Sequence, residues 1–136
     1  MAEDCIFCKT AAGELPAHRI REDERTVAFM DIAPATRGHA LVIPRAHARD
    51  LLDVPPEDLA AVAVAAQEVA AWAKGKLGAD GVNLLNACGA AAWQSVFHFH
   101  LHVVPRYRDD PLREHWVAAP GDQAEIAAAA GDYVTC

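Results

Sequence analysis

The sequence predicts an α+β domain built from about five short strands, one long helix and a short N-terminal helix. Three observations carry that expectation. Apolar runs of strand length are separated by charged or small-residue turns, so most connections are hairpin-like. One stretch alone, residues 56–77, keeps apolar residues at three- and four-residue steps over many turns. No internal repeat and no domain linker interrupts the 136 residues, a length that buries roughly two-thirds of the unfolded surface in one domain.

Residues 5–12 read as a short helix that Gly13 ends, because glycine tolerates the left-handed position after a helix. Residues 18–22 and 26–31 read as strands joined by the charged turn Asp23-Glu24-Arg25 into an antiparallel hairpin. The stretch 31–38, DIAPATRG, is turn-rich and predicts a loop. Residues 39–44 form a compact apolar run, a buried strand that Pro44 terminates. Pro55-Pro56 opens the long helix, and Glu57 and Asp58 suit its positive end. Leu59, Val62, Ala66, Val69, Ala73 and Leu77 make its buried stripe, and Gly78 stops it. Trp72 falls off the stripe, which places it at a flank or an interface. Residues 82–87 and 96–105 complete the strands, joined by the small residues 87–92. Beyond Arg106 the chain turns polar and then alanine-rich, with 123–130 a weak helix.

Composition narrows the function. A 53% apolar content excludes a disordered chain, and no run reaches the ~20 apolar residues that span a bilayer. The opening MAEDCIFCK lacks the basic and apolar regions of a signal peptide, so a cytoplasmic location is expected. A formal charge of −7 argues against a nucleic-acid polymer or an anionic membrane as partner. A small anion in a locally positive pocket stays open.

The chemistry concentrates in QSVFHFHLHVV. On a strand, His98, His100 and His102 share one face, while Phe97, Phe99, Leu101 and Val103 share the other. One such histidine is ordinarily a satisfied core residue, but three at period two are costly to bury without a use. Same-face neighbours lie roughly 7 Å apart, too far for three imidazoles to reach one metal at about 2.0 Å. Division of labour fits better. Neutral imidazole is a nucleophile near pH 7, and Ser95 at the strand entrance adds groups that bind phosphate. Transfer of a phosphorus group through histidine is the natural reading. Of four cysteines, Cys5 and Cys8 form a Cys-x-x-Cys with no strand before it, which favours metal over redox chemistry. Two thiolates leave a tetrahedral zinc site half built, so two ligands must come from elsewhere.

These residues resemble the signature of the histidine triad (HIT) superfamily, His-φ-His-φ-His-φ-φ with φ apolar. DCIFCK, AFMDIAP, RGHALVIPRAH and VVPRY resemble blocks of its bacterial Hint-like branch in the same order, over roughly residues 4–107. The resemblance implies a HIT-like fold with a five-stranded antiparallel sheet, a homodimer, and hydrolysis or transfer at the α-phosphorus of a nucleoside phosphate derivative. It makes His100 the nucleophile of a covalent nucleotidyl-histidine. His102 would bind phosphate oxygens and help protonate the leaving group, Ser95 would face the phosphate, and His39 would support the catalytic strand. Ile6, Phe7, Phe29 and Ile32 would form the nucleoside pocket, Asp31 would hold the ribose, and Phe29 and Ile32 read equally well as core. One structural zinc per chain would be held by Cys5, Cys8, His47 and His98.

The chain departs from the family pattern at two places. Ala87 stands where the family often has Asn, and Trp93 where it often has Gly. Asn86 lies one residue off register, a weak candidate that only a bulge would turn back. Residues 1–108 would be the HIT domain and 109–136 an extension at the dimer or substrate edge. Cys88 and Cys136 have no assigned partner, and His18 and His115 read as surface or dimer-edge residues. The leading expectation is hydrolysis of purine nucleoside phosphoramidates or adenylates. Hydrolysis of dinucleoside polyphosphates, or a zinc-stabilised nucleotide-binding module with little turnover, are the alternatives.

Overall fold

The computed structural model describes residues 4–114 and 116–135, so His115 and Cys136 lie outside the described residues. A short helix α1 (Ile6–Ala11) leads into strands β1 (Arg19–Glu22), β2 (Thr26–Met30) and β3 (Ala40–Pro44). The long helix α2 (Pro56–Leu77) follows, then β4 (Gly81–Leu85), β5 (Leu101–Arg106) and a C-terminal helix α3 (Gln123–Val134). The strands make one five-stranded sheet in the order β1-β2-β3-β5-β4. Every neighbouring pair is antiparallel.

Both faces of the sheet centre are covered, which is why β2 and β3 read as continuous apolar runs. Ala28, Ala40, Val42 and Val103 point to one face and pack with Val62, Ala65, Ala66 and Val69 of α2. Val27, Phe29, Leu41 and Ile43 point to the other and pack with Phe7 and Ala11 of α1. Pro56 opens α2 and Gly78 closes it at φ 71°, as its sequence predicts. Gly38 has φ 90°, and a Cβ there would collide with Leu77 Cδ1 and lie 3.2 Å from Pro105 Cγ. The loop enters β3 through a narrow gap and a left-handed backbone, both of which favour glycine.

Element bounds shift modestly: β2 ends one residue early, β3 begins at Ala40, β4 is 81–85, and α3 runs on to Val134. One difference matters more. The strand expected over 96–105 begins at Leu101, so His98 and His100 precede regular pairing. Strand β5 pairs with β3 only from Ala40↔Val103 to Val42↔Leu101. Upstream the sheet ladder is replaced by other bonds. Ala48 O accepts Phe99 N–H at 2.7 Å, and Pro44 O accepts the His98 ring N–H at 2.8 Å. The alternation of faces survives this detour: Phe99 joins the α2 core and Val96 the α1 core.

After β5, Arg106 donates to Asn83 Oδ1 at 2.8 Å and to both oxygens of Asp110 at 2.9 and 3.0 Å. Those bonds tie the turn to the sheet end. Farther on, Asp122 caps α3 by accepting Glu125 N–H at 3.0 Å, and α3 buries no residue. Among the described residues no helix is long and apolar enough to cross a membrane.

Candidate functional site

The start of α1 builds the first half of the site. Cys5 is its N-cap, and its Sγ accepts the Cys8 N–H at 3.3 Å, so the motif turns both thiols to one side. Cys5 Sγ lies 3.3 Å from His98 Nδ1; Cys8 Sγ lies 3.3 Å from His47 Nδ1 and 3.4 Å from His98 Nδ1. The four ligand atoms all fall within 4.8 Å of one another. A tetrahedral zinc with Zn–S of about 2.3 Å and Zn–N of about 2.0 Å sets its N and S ligands about 3.5 Å apart, so the residues fit the ion. The tautomer fits as well. Pro44 O can only accept, so His98 carries its proton on Nε2 and turns the Nδ1 lone pair toward the thiols. Burial and then the adjacent Cys5 push the Cys8 thiol up to about 11.

The second half follows two residues later. His100 Nδ1–H donates to His98 O at 2.7 Å, which leaves Nε2 with its lone pair. Asn86 Nδ2 donates to His100 O at 3.0 Å and steadies the same peptide. The register objection to Asn86 disappears because β4 has already ended at Leu85, so strand alternation no longer sets its direction. Its Oδ1 is buried and, among the described residues, has no hydrogen-bond partner. The ring of Phe7 stands edge-on to both His100, at 5.1 Å between centroids, and His98, at 6.0 Å.

A directed chain of protons reaches His102. Ala35 N–H donates to His39 Nδ1 at 2.9 Å, so the His39 proton sits on Nε2. That Nε2 lies 2.9 Å from His102 Nδ1 and 3.5 Å from Asp31 Oδ2. His102 therefore accepts at Nδ1 and keeps its proton on Nε2, free to donate outward. Asp31, His39 and His102 also cluster closely enough for a metal, but the line between the two ring nitrogens is already taken by this hydrogen bond. Burial lowers His39, His100 and His102 below the usual histidine value, His102 to about 4 with His100 and His39 adding to the effect. Asp31 partly opposes it in all three. The row is neutral at pH 7, the nucleophilic form.

The remaining sequence-predicted residues divide. Phe7 and Phe29 are buried, in edge-to-face contact at 5.5 Å, and form a floor continuous with the α1 core. Ile6 and Ile32 are exposed. Ser95 is exposed and lines a pocket of about 340 Å³ with Cys5, Ile6 and His47, at the metal end of the row. Asp31 Oδ1 accepts Ala33 N–H at 2.8 Å while its other oxygen faces His39, so it belongs to the relay by contact. Cys88 is half-buried and in no disulfide, and His18 is exposed.

Gln94 escaped the sequence reading. It is buried, donates from Nε2 to Arg49 O and Val96 O at 2.8 and 3.1 Å, and accepts Gly89 N–H at 2.8 Å. One side chain thus folds the segment that launches the histidine row. The only signal was a lone amide between small residues and Ser95. Trp93 beside it has φ 73° with its indole 89% exposed. The left-handed backbone there favours glycine.

A model described as the HIT domain matches residues 12–109. An uncharacterized HIT-like protein of Mycobacterium tuberculosis is 47% identical over 108 residues, covering 79% of this chain and 75% of that protein. A protein of Arabidopsis thaliana named adenylylsulfatase HINT3 is 37% identical over 112 residues, 82% of this chain and 57% of its own length. The crystal structure of a zinc-bound histidine triad family protein from Mycobacterium smegmatis superposes with a TM-score of 0.79 at 42% identity, covering 99% of this chain and 100% of that one.

Proposed function

The chain belongs to the HIT family of nucleotide-binding hydrolases and transferases, and on that premise we propose that it hydrolyses purine nucleoside phosphoramidates or adenylates through a covalent nucleotidyl-histidine on His100. The observation that carries the reading is the bond from His100 Nδ1–H to His98 O, which presents a neutral imidazole with Nε2 unprotonated. Nε2 attacks the α-phosphorus. The P–N or P–O bond breaks with its electron pair going to the leaving atom. An amine takes up a proton from solvent, steered by the His102 Nε2–H hydrogen bond, and an anionic group departs as such. Water then displaces His100 from phosphorus, releasing AMP and giving its proton to solvent. His39 and Asp31 hold His102 in the donating tautomer. Asn86 fixes the His100 backbone, and its free Oδ1 is an acceptor for the nucleotide. Ile6, Phe7, Phe29 and Ile32 supply apolar surface for the base, and Ser95 a hydroxyl for phosphate. The ribose contact of Asp31 belongs to this proposal too.

Zinc on Cys5, Cys8, His47 and His98 would hold α1 against the histidine segment and would take no part in the reaction. Its support is the donor set and the zinc-bound Mycobacterium smegmatis relative. The proposed working unit is a homodimer. His102, held near 4, is a hydrogen-bond donor rather than a strong acid at pH 7, which favours leaving groups that depart as stable anions. That suits the adenylate half of the proposal and makes hydrolysis of dinucleoside polyphosphates the second reading.

The test is release of AMP from adenosine 5′-phosphoramidate and from an adenylate by wild type and His100→Ala. Loss of both activities with the fold intact supports the mechanism; equal rates overturn it. Rapid acid-free quenching followed by mass spectrometry should find the adenylyl group on the peptide containing His100.

A further inference from the structure

A groove away from the histidines has no part in the site described above. It lies on the other face of the sheet, about 570 Å³ in volume, walled by Met30, Val69, Trp72 and Leu77, with Arg37 and Lys76 also lining it. Lys76 Nζ sits 5.9 Å from the centre of the Trp72 ring. Among the described residues neither Arg37 nor Lys76 forms an ion pair with a carboxylate. The groove is apolar at its base and basic at its sides, and among the described residues none of α3 lines it.

Helix α3 has the opposite character. Ile126, Ala129, Ala130, Tyr133 and Val134 recur at steps of three and four, one apolar stripe along the helix. Asp122, Glu125 and Asp132 accompany it, and no lysine or arginine follows Arg113. Yet α3 buries no residue: Tyr133 is 92% exposed and Ile126 51%. A 12-residue helix is marginal in water without a surface to pack against. Its stripe matches the groove's base, and its acids match Arg37 and Lys76.

We propose that α3 of one copy seats in the Trp72 groove of a second copy, with Ile126 and Tyr133 on the apolar base and the acidic residues toward Arg37 and Lys76. The exchange is reciprocal, so one two-fold operation fills both grooves. A reciprocal exchange doubles the area that one short helix covers, toward the ~1,000 Å² or more expected of a stable interface. Within one chain α3 and the groove coexist without meeting, and this favours the second copy as host. The inference rests on the homodimer reading but not on the hydrolase reading, since turnover is no part of its test.

The experiment measures the dimer dissociation constant of the full chain by light scattering and sedimentation over a range of concentrations. Tyr133→Asp, Ile126→Asp and Lys76→Glu should each raise it by about tenfold or more, as expected for a central anchor or its facing charge. Circular dichroism keeps the result readable, because α3 lies outside the core. Adding Asp132→Lys to Lys76→Glu should restore part of the affinity. A monomeric wild type overturns both this proposal and the homodimer. A dimer indifferent to Tyr133→Asp and Ile126→Asp overturns the arm exchange alone. Sensitivity to the α3 variants without sensitivity to Lys76→Glu moves the arm to another seat and overturns this groove. If truncation after Leu112 exposes Trp72 to quencher in a monomer, α3 belongs in its own chain and the proposal fails.

Discussion

His98 and His102 stand four residues apart on one segment and end in opposite circumstances. His98 is wholly buried, its Nε2–H spent on Pro44 O and its lone pair turned to two thiols. His102 is half-buried, its Nδ1 spent on His39 and its Nε2–H left to give. The residue type is the same and the alternation is the same. The second hydrogen bond decides which nitrogen remains, and so whether a histidine holds a metal or meets a substrate.

The metal end offers the strongest break. Removing zinc with a chelator, or Cys5→Ser, should lower the melting temperature by roughly 10 °C or more, because metal binding at such a site is folding energy. If activity instead disappears while the melting temperature holds, the two ends are not separate in role. Calorimetry beside an AMP-release assay decides it. At the other end, His39→Asn should cost about 10- to 100-fold in kcat with little change in KM, since it removes the partner that orients His102 and touches no substrate. An equal loss in KM would mean that His39 contacts the nucleotide itself.

A pH series sharpens the contrast further. His102 falls from 6.5 unfolded to about 4 folded, chiefly through burial. Its contribution is therefore complete above pH 6.5 and is lost as the pH drops from there toward 4. His102→Gln should flatten that part of the melting-temperature curve by a few degrees. The smallest effect is at Trp93, where a bulky residue holds φ 73° and the left-handed conformation costs roughly 1–2 kcal/mol. Trp93→Gly removes that strain but loosens the unfolded chain, leaving a net gain of about 1 kcal/mol or less by denaturant titration.

The parts set by local chemistry were legible in the sequence. Period and caps placed α2 over 56–77, and the antiparallel β1-β2 hairpin followed from its charged turn. The Cys-x-x-Cys marked half of a candidate metal site by type and spacing, while His47 and His98 entered only through the family resemblance, and the fold brings the four together. What could not be read depended on where a neighbour stops. Strand β3 ends at Pro44, so His98 bonds to its last carbonyl instead of continuing the ladder; no pattern within 96–100 records that. The link from Asp31 to His39 joins two residues eight apart across a loop whose closure is tertiary. Asn86 was discounted by an alternation rule that had ceased to apply one residue earlier.

The gap that admits Gly38 carries a consequence for how related sequences can vary. A side chain at 38 would strike Leu77 and crowd Pro105, and the φ of 90° narrows the choices further. Position 38 gains a Cβ most easily where position 77 has given up its branch or swings its methyl aside, and then as asparagine or aspartate, which tolerate the left-handed backbone. A loop and a helix end 39 positions apart in the chain thus share one constraint on side-chain size.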